Sequence, residues 1–290
     1  MTKRLCRQIG FGKPLLFWGF SLAFGLSRRT SMCSALSSHI LSLLYNQYYF
    51  IFAILPILLF FCGSVMEDDP IIFVLRYGSY KHYFTSKWRS LGVLCSGLWL
   101  GQITILFVTG AGLSVIKQGW DNFSGSSLLK EIAPLLVKSF PGAWVAVFCA
   151  AVYMLMGYWL IALLTLWLGH FLQRQKAIKV LLALYILTIL SIKLPIMSRP
   201  PFCYLTGINH WVLLLHNLTA GWRFPLTVIV TLLFVVTVIC SIQGGWRSAA
   251  HHHRISKGLP AYYRHILFSA SNFLVLAISL ALLVAWVWCA

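Results

Sequence analysis

Seven long apolar stretches, separated by short basic segments, constrain this chain more than any other feature. Inside a membrane every backbone N–H and C=O group needs an internal partner, and a helix of about 20 apolar residues provides this while crossing the bilayer. The sequence therefore predicts an all-α, polytopic integral membrane protein with six to seven transmembrane helices, short interfacial helices and one transmembrane domain over residues 1–290. The predicted spans are Pro14–Leu26, Tyr48–Val65, Leu91–Ile116, Ala143–Phe171, Val180–Ile196, Pro225–Ile242 and Ile266–Trp288.

Three of these spans carry features that bear on helix packing. The first span is the shortest and the weakest of the seven. The second holds Pro56 in its middle, which neighbouring helices of a bundle can accommodate. The third contains Gln102 and the pair Gly97 and Gly101, whose GxxxG spacing predicts close approach of another helix.

Charge decides the predicted orientation. Only 10% of the residues are charged, against about 25% in soluble domains, and the net charge is +18. In a membrane protein this excess indicates contact with anionic lipid and a positive-inside bias rather than binding of nucleic acid. With the N-terminus inside, fifteen Lys and Arg residues fall on the inner side and eight on the outer side. The count predicts a multi-pass protein of the cell membrane with a cytoplasmic N-terminus and with residues 66–90 in the cytoplasm.

Two predicted outer loops, residues 117–142 and 197–224, contain more than turns. Between residues 128 and 140 of the first loop, apolar residues recur at helical spacing with Lys130, Glu131 and Lys138 off that face, which predicts a helix on the outer membrane surface. In the second loop the apolar piece Trp211–Leu215 is too short to span. We expect it to dip into the outer leaflet as a re-entrant element.

Residues 66–90 are the most distinctive segment, because they hold three of the five acidic residues in the chain. Asp69 is placed to cap a first short helix with Pro70 at its first position, and Gly78 is a natural stop. Ser79 is placed to cap a second helix that runs on into the third span. This second helix carries an aromatic face with lysines beside it, as a helix at the membrane interface does. The aromatic face consists of Tyr80, Tyr83, Phe84 and Trp88.

The same segment resembles the first cytoplasmic loop of ABC-2-type exporter permeases. Its stretch L-R-Y-G-S-Y-K-H-Y-F-T-S-K-W is most similar to small permease subunits of Gram-positive bacteria that are associated with bacteriocin or lantibiotic export and self-immunity. In that family an R-Y-x-S segment precedes a K-W pair entering the next span, and the loop carries a coupling helix that docks on a separate ATPase. The residues that the resemblance assigns to ATPase coupling are Glu67, Asp68, Asp69, Arg76, Tyr77, Ser79, Lys87 and Trp88.

The resemblance implies the rest of the functional expectation. Residues 1–13 correspond to a basic cytoplasmic interfacial helix, and residues 197–224 to an outer re-entrant region. Tyr80 stands where the family has a basic residue, and family members commonly have six spans rather than seven. The implied partners are an ATP-binding-cassette ATPase subunit, a second permease copy or a sister permease, and the lipid bilayer of a bacterial plasma membrane, with no nucleic acid.

The chain is accordingly expected to be a non-catalytic permease subunit that exports a peptide, a lipid or another amphipathic substrate. It has no phosphate-binding loop of the G-x-x-x-x-G-K-[ST] type and no acidic residue within a predicted span. No cofactor is expected on this chain, since ATP and Mg²⁺ would be bound by the partner subunit.

Two other functions remain open from the sequence. An integral-membrane enzyme acting on lipid-like substrates would use polar side chains in the spans. The candidate polar residues of the enzyme are Gln102, Tyr153, Tyr158 and His170. A non-transporting immunity or scaffold protein would use residues 66–90 to recruit partners.

Three further expectations concern histidines, tryptophans and cysteines. We expect no metal at the three consecutive histidines 251–253, and the tryptophans are expected largely at span ends as interfacial anchors. Pairing of Cys33 with Cys203 is left open.

Overall fold

The computed structural model describes residues 5–6, 9–29, 35–66, 80–115, 134–172, 174–193 and 212–214, and these residues are mostly helical. Within them, the β-type pairing consists of a single parallel bridge between Ala35 and Ser114. We number the six principal helices in chain order. They are α1 (Gly12–Arg28), α2 (Leu36–Leu44), α3 (Gln47–Gly63), α4 (Tyr80–Thr109), α5 (Ala143–Phe171) and α6 (Arg174–Lys193).

Two of these helices, α4 and α5, are each long and apolar enough to cross a membrane. Helices α2 and α3 qualify together, although the chain bends by 50° between them, as in a broken span or a re-entrant loop. By length and composition, the described part of the chain therefore supplies two helices that could cross a membrane, or three if the bent pair is one span. The last two predicted spans, Pro225–Ile242 and Ile266–Trp288, lie outside the described residues.

Helix α5 has the bounds predicted for the fourth span. Helix α4 begins within the predicted second helix of residues 66–90 and runs without a break into the third span, as expected. Its end was predicted wrongly, because the helix stops at Thr109 instead of Ile116. Gly110 begins a turn there, and Gly112 has a φ of 89°, a left-handed conformation that favours glycine.

Helix α2 was not predicted from the sequence. Its polar residues, which include Ser37, Ser38 and His39, interrupt the apolar pattern that marks a span, yet all three are buried. The extended Ala35 precedes the helix, and the N–H of Leu36 donates to the carbonyl of Ser114 at 3.0 Å. This contact attaches the start of α2 to the segment that follows α4.

Helix α3 contains a π turn over Phe50–Ile54, between the short α-helical piece Gln47–Tyr49 and the longer piece Leu55–Gly63. The N–H of Leu55 donates to the carbonyl of Phe50, five residues earlier. Pro56 explains the wide turn, because proline has no N–H and its ring crowds the carbonyl four residues before it. The bundle thus accommodates this mid-span proline by widening one turn of the helix.

Three tryptophans join the helices in mid-bundle. The indole N–H of Trp18 in α1 donates to the carbonyl of Leu98 at 3.2 Å, and that of Trp99 in α4 donates to the carbonyl of Ala151 at 2.8 Å. Trp159 in α5 donates to Ser96 Oγ at 3.0 Å. Trp18, Trp99 and Trp159 therefore link one helix to the next, and the expected interfacial anchoring of tryptophans at span ends stays a prediction.

The predicted GxxxG contact is correct at one of its two glycines. A Cβ atom at Gly101 would overlap the indole of Trp18, so α1 approaches α4 closely at this point. A Cβ atom at Gly97 would have no neighbour within 4 Å. The pair therefore does not act as one motif. A second close contact lies at Gly25 of α1, where a Cβ atom would meet the side chain of Thr109.

Parts of three predicted surface segments lie among the described residues. Residues 134–139 are helical, with Leu136 buried and Phe140 packed on the core. The three residues Val212–Leu214 are buried in the core as well, and their predicted entry into the outer leaflet stays a prediction. In the N-terminal segment Leu5 is buried.

Candidate functional site

Of the predicted coupling loop, residues 66–90, the structure describes Met66 and the part from Tyr80 onward, where α4 begins. The predicted roles of the residues that precede it stay predictions from the sequence. Those residues, which lie outside the described part of the chain, are Glu67, Asp68, Asp69, Arg76, Tyr77 and Ser79.

The first turns of α4 pack into the bundle. Tyr83 and Phe84 are buried, and Lys87 is 7% exposed with its Nζ atom 5.9 Å from the centre of the Tyr83 ring. Trp88 contacts Trp159 of α5 edge to face, with 5.9 Å between ring centres. The end of the predicted loop that continues into α4 is therefore fixed to α5. A role of Tyr80, Tyr83 and Phe84 at the lipid headgroups stays a prediction.

A chain of hydrogen bonds links four helices in the interior of the bundle. The Tyr158 hydroxyl of α5 donates to Gln102 Oε1 of α4 at 2.7 Å, and Gln102 Nε2 donates to the Tyr49 hydroxyl of α3 at 3.2 Å. Tyr49 in turn donates to Ser21 Oγ of α1 at 2.7 Å, and Ser21 donates to the carbonyl of Phe17 at 2.8 Å. We call Ser21, Tyr49, Gln102 and Tyr158 the polar network.

All four side chains of the polar network are fully enclosed, since Tyr49, the most exposed, has only 3% of its surface accessible. A buried hydroxyl or amide without a partner is costly, so each member depends on the helix that carries the next one. Aromatic rings hold the tyrosines in place. Phe24 stacks on Tyr49 with 4.3 Å between ring centres, and Phe17 meets Tyr158 edge to face at 6.1 Å.

Two of these four residues were singled out from the sequence, but for another role. Gln102 and Tyr158 were candidate residues of the enzyme hypothesis, and the structure brings them into direct contact. Ser21 and Tyr49 were missed, although polar residues inside apolar spans are the signal that would have found them. Of the other two candidates, Tyr153 packs partly buried against the core, and the side chain of His170 lies outside the described residues.

A second buried polar contact closes the end of α4. Thr109 Oγ1 lies 3.1 Å from the carbonyl oxygen of Leu106, to which it donates, and within hydrogen-bond distance, 3.1 Å, of His39 Nε2 of α2. Beside this pair, Arg29 Nη2 donates to the carbonyl of Ala111 at 2.6 Å. These bonds attach α2 and the end of α1 to the turn that follows α4.

Among the described residues, no group of three or more His, Cys, Asp or Glu side chains is arranged to hold a metal ion. Histidines 251–253 lie outside them, as do Cys33 and Cys203. The described cysteines Cys6, Cys62, Cys95 and Cys149 are free thiols.

Comparison of the chain with protein-family models, with curated proteins and with solved structures finds no match.

Proposed function

We propose that this chain is the membrane-spanning permease subunit of an ATP-binding-cassette exporter, driven by a separate ATPase that binds residues 66–90. The observation that supports the proposal best is the continuity of α4. One uninterrupted helix starts at Tyr80, at the edge of the predicted coupling loop, and passes through Gln102 to Thr109. A displacement of the loop would therefore reach the centre of the bundle along one element.

The length and attachments of α4 suit this role. From Tyr80 to Gln102 the helix rises roughly 30 Å at about 1.5 Å per residue. Trp88 contacts α5 near the start of α4, and Gln102 contacts α3 and α5 farther along. A displacement of the loop would therefore move α3 and α5 together with α4. Six to seven spans, a cytoplasmic N-terminus and a bacterial plasma membrane are parts of the same proposal.

The test is the recovery of ATPase activity with the full-length chain, carrying an affinity tag, from membranes of its native host. We expect vanadate-sensitive ATP hydrolysis in the purified fraction. Changing Glu67, Asp68 and Asp69 together to alanine is expected to lower it about tenfold or more, as loss of a charged hot spot does. The matched control is Lys179→Ala, because Lys179 is exposed at the start of α6 and is predicted on the same side of the membrane.

Two results would contradict the proposal. Unchanged ATPase recovery with the triple alanine variant would remove the coupling role of the acidic residues. Absence of ATPase from the wild-type fraction would favour the immunity or scaffold protein, or the membrane enzyme, instead.

A further inference from the structure

The π turn of α3 begins directly after Tyr49, the central member of the polar network. Tyr49 is the last residue of the short piece Gln47–Tyr49, and the wide turn follows over Phe50–Ile54. π turns are rare, their hydrogen bonds span five residues instead of four, and they occur frequently at functional sites. The position of the Tyr49 hydroxyl therefore depends on an unusual backbone register.

A π turn acts as an α-helix with one additional residue. If Phe50–Ile54 tightened to α-helical hydrogen bonding without losing a residue, the chain before it would rotate by roughly 100° relative to Leu55–Gly63, since an α-helix has 3.6 residues per turn. On a helix with a radius of about 5–6 Å including side chains, such a rotation moves a side-chain tip by roughly 8 Å. This movement is too large for Tyr49 to keep its two hydrogen bonds, one of 2.7 Å to Ser21 and one of 3.2 Å from Gln102.

The segment before the π turn is short and is separated from α2 by a break. The chain bends by 50° between α2 and α3, where Asn46 caps the new helix by accepting a 2.8 Å hydrogen bond from the N–H of Tyr49. Tyr49 is therefore carried by one helical turn, with a break on one side and the π turn on the other. The orientation of this turn is therefore set by the contacts of its own side chains and not by a long continuous helix.

We propose that α3 is a register switch. In the register described here, Pro56 supports the π turn and the turn holds Tyr49 in the polar network. In the alternative register Phe50–Ile54 is α-helical with a kink at Pro56, and the Tyr49 hydroxyl has left Ser21 and Gln102. This proposal goes beyond the transport function and does not depend on it, because it concerns two packings of one bundle.

The test is a mutant cycle on the full-length chain, with the midpoint of SDS denaturation measured by tryptophan fluorescence. Tyr49→Phe is expected to lower the midpoint of the wild-type chain. Tyr45→Phe serves as the control, since Tyr45 is buried like Tyr49 but its hydroxyl makes no hydrogen bond to any described residue, and it should not lower the midpoint. Pro56→Ala removes the support for the wide turn. In that background Tyr49→Phe should have no further effect, because the hydroxyl has already left the network.

A deletion distinguishes the switch from a simple packing role of Pro56. Phe52 is 51% exposed within the π turn, so its deletion removes the additional residue at little cost to the core. In the Pro56→Ala background this deletion makes the segment α-helical and brings the Tyr49 hydroxyl back to Ser21 and Gln102. Tyr49→Phe should then lower the midpoint of SDS denaturation again. Equal effects of Tyr49→Phe in the wild-type and Pro56→Ala chains would overturn the proposal. Failure of both Pro56→Ala and its deletion derivative to fold would also overturn it, because the deletion derivative should retain every network contact.

Discussion

Helices α4 and α5 differ from the bent pair α2 and α3 in how they are held in the same bundle. The first two are regular over 30 and 29 residues and are joined by indole N–H groups, one of which donates to a backbone carbonyl of the other helix. The bent pair is interrupted by a break and a π turn, and side chains of the polar network and of His39 hold it. An unbroken helix keeps the residues along it at fixed positions relative to one another, whereas a helix pair interrupted by a break and a π turn can change register. We therefore regard α4 and α5 as the frame and the bent pair as its adjustable part.

The largest effect is expected where α1 approaches the frame, at Gly101. Gly101→Val would force the Trp18 indole away from α4 and break its bond to the Leu98 carbonyl, costing about 3 kcal/mol of unfolding free energy, as overpacking does. SDS denaturation measures this cost. Gly97→Ala is the matched control, because its new methyl group meets no neighbour within 4 Å. Similar losses at both glycines would contradict the claim that the close approach of α1 is specific to Gly101.

A smaller effect is expected where the adjustable part meets the frame, at Gln102. Gln102→Leu removes the acceptor of the Tyr158 hydroxyl and one partner of Tyr49, and the stranded polar groups should cost about 2 kcal/mol of unfolding free energy. The same denaturation measurement applies. Thr104→Val is the control, since Thr104 is exposed and bonds only to the Leu100 carbonyl of its own helix. A neutral Gln102→Leu variant would mean that the network does not hold α3.

The smallest effect is expected within the frame itself, at Trp99. Trp99→Phe keeps an aromatic ring but deletes the N–H that donates to the Ala151 carbonyl, so a loss of about 1 kcal/mol is expected. In contrast with Gln102→Leu, no second buried side chain loses its partner. A larger loss for Trp99→Phe than for Gln102→Leu would reverse the ranking of the two connections.

The apolar pattern predicted the regular part of this fold well. Helix α5 is an unbroken apolar run, and its bounds follow from the sequence alone. Pro56 was recognised as a feature to be accommodated, but the π turn that accommodates it was not foreseen. Periodicity reports which face of a helix is apolar and contains no information about a one-residue change of register.

The polar features were harder to predict because their meaning depends on partners distant in the sequence. Gln102 stood out as a polar residue in a span, yet its contact with Tyr49 joins residues 53 positions apart. Helix α2 escaped notice because its serines and His39 look like an aqueous loop until the neighbouring helices bury them. The links made by Trp18, Trp99 and Trp159 could not be predicted for a related reason, since an indole N–H is satisfied equally by a headgroup or by a carbonyl of the next helix.

Hydrogen–deuterium exchange of the full-length chain in lipid nanodiscs tests the contrast between frame and adjustable part most directly. Amides of the π turn and its end, Ile51–Leu55, are compared with those of Val93–Leu98 in α4. If α3 changes register, its amides should exchange about tenfold faster or more, because local opening there needs less free energy than opening of the frame. Equal protection of the two segments would contradict the account, since α3 would then be as rigid as α4.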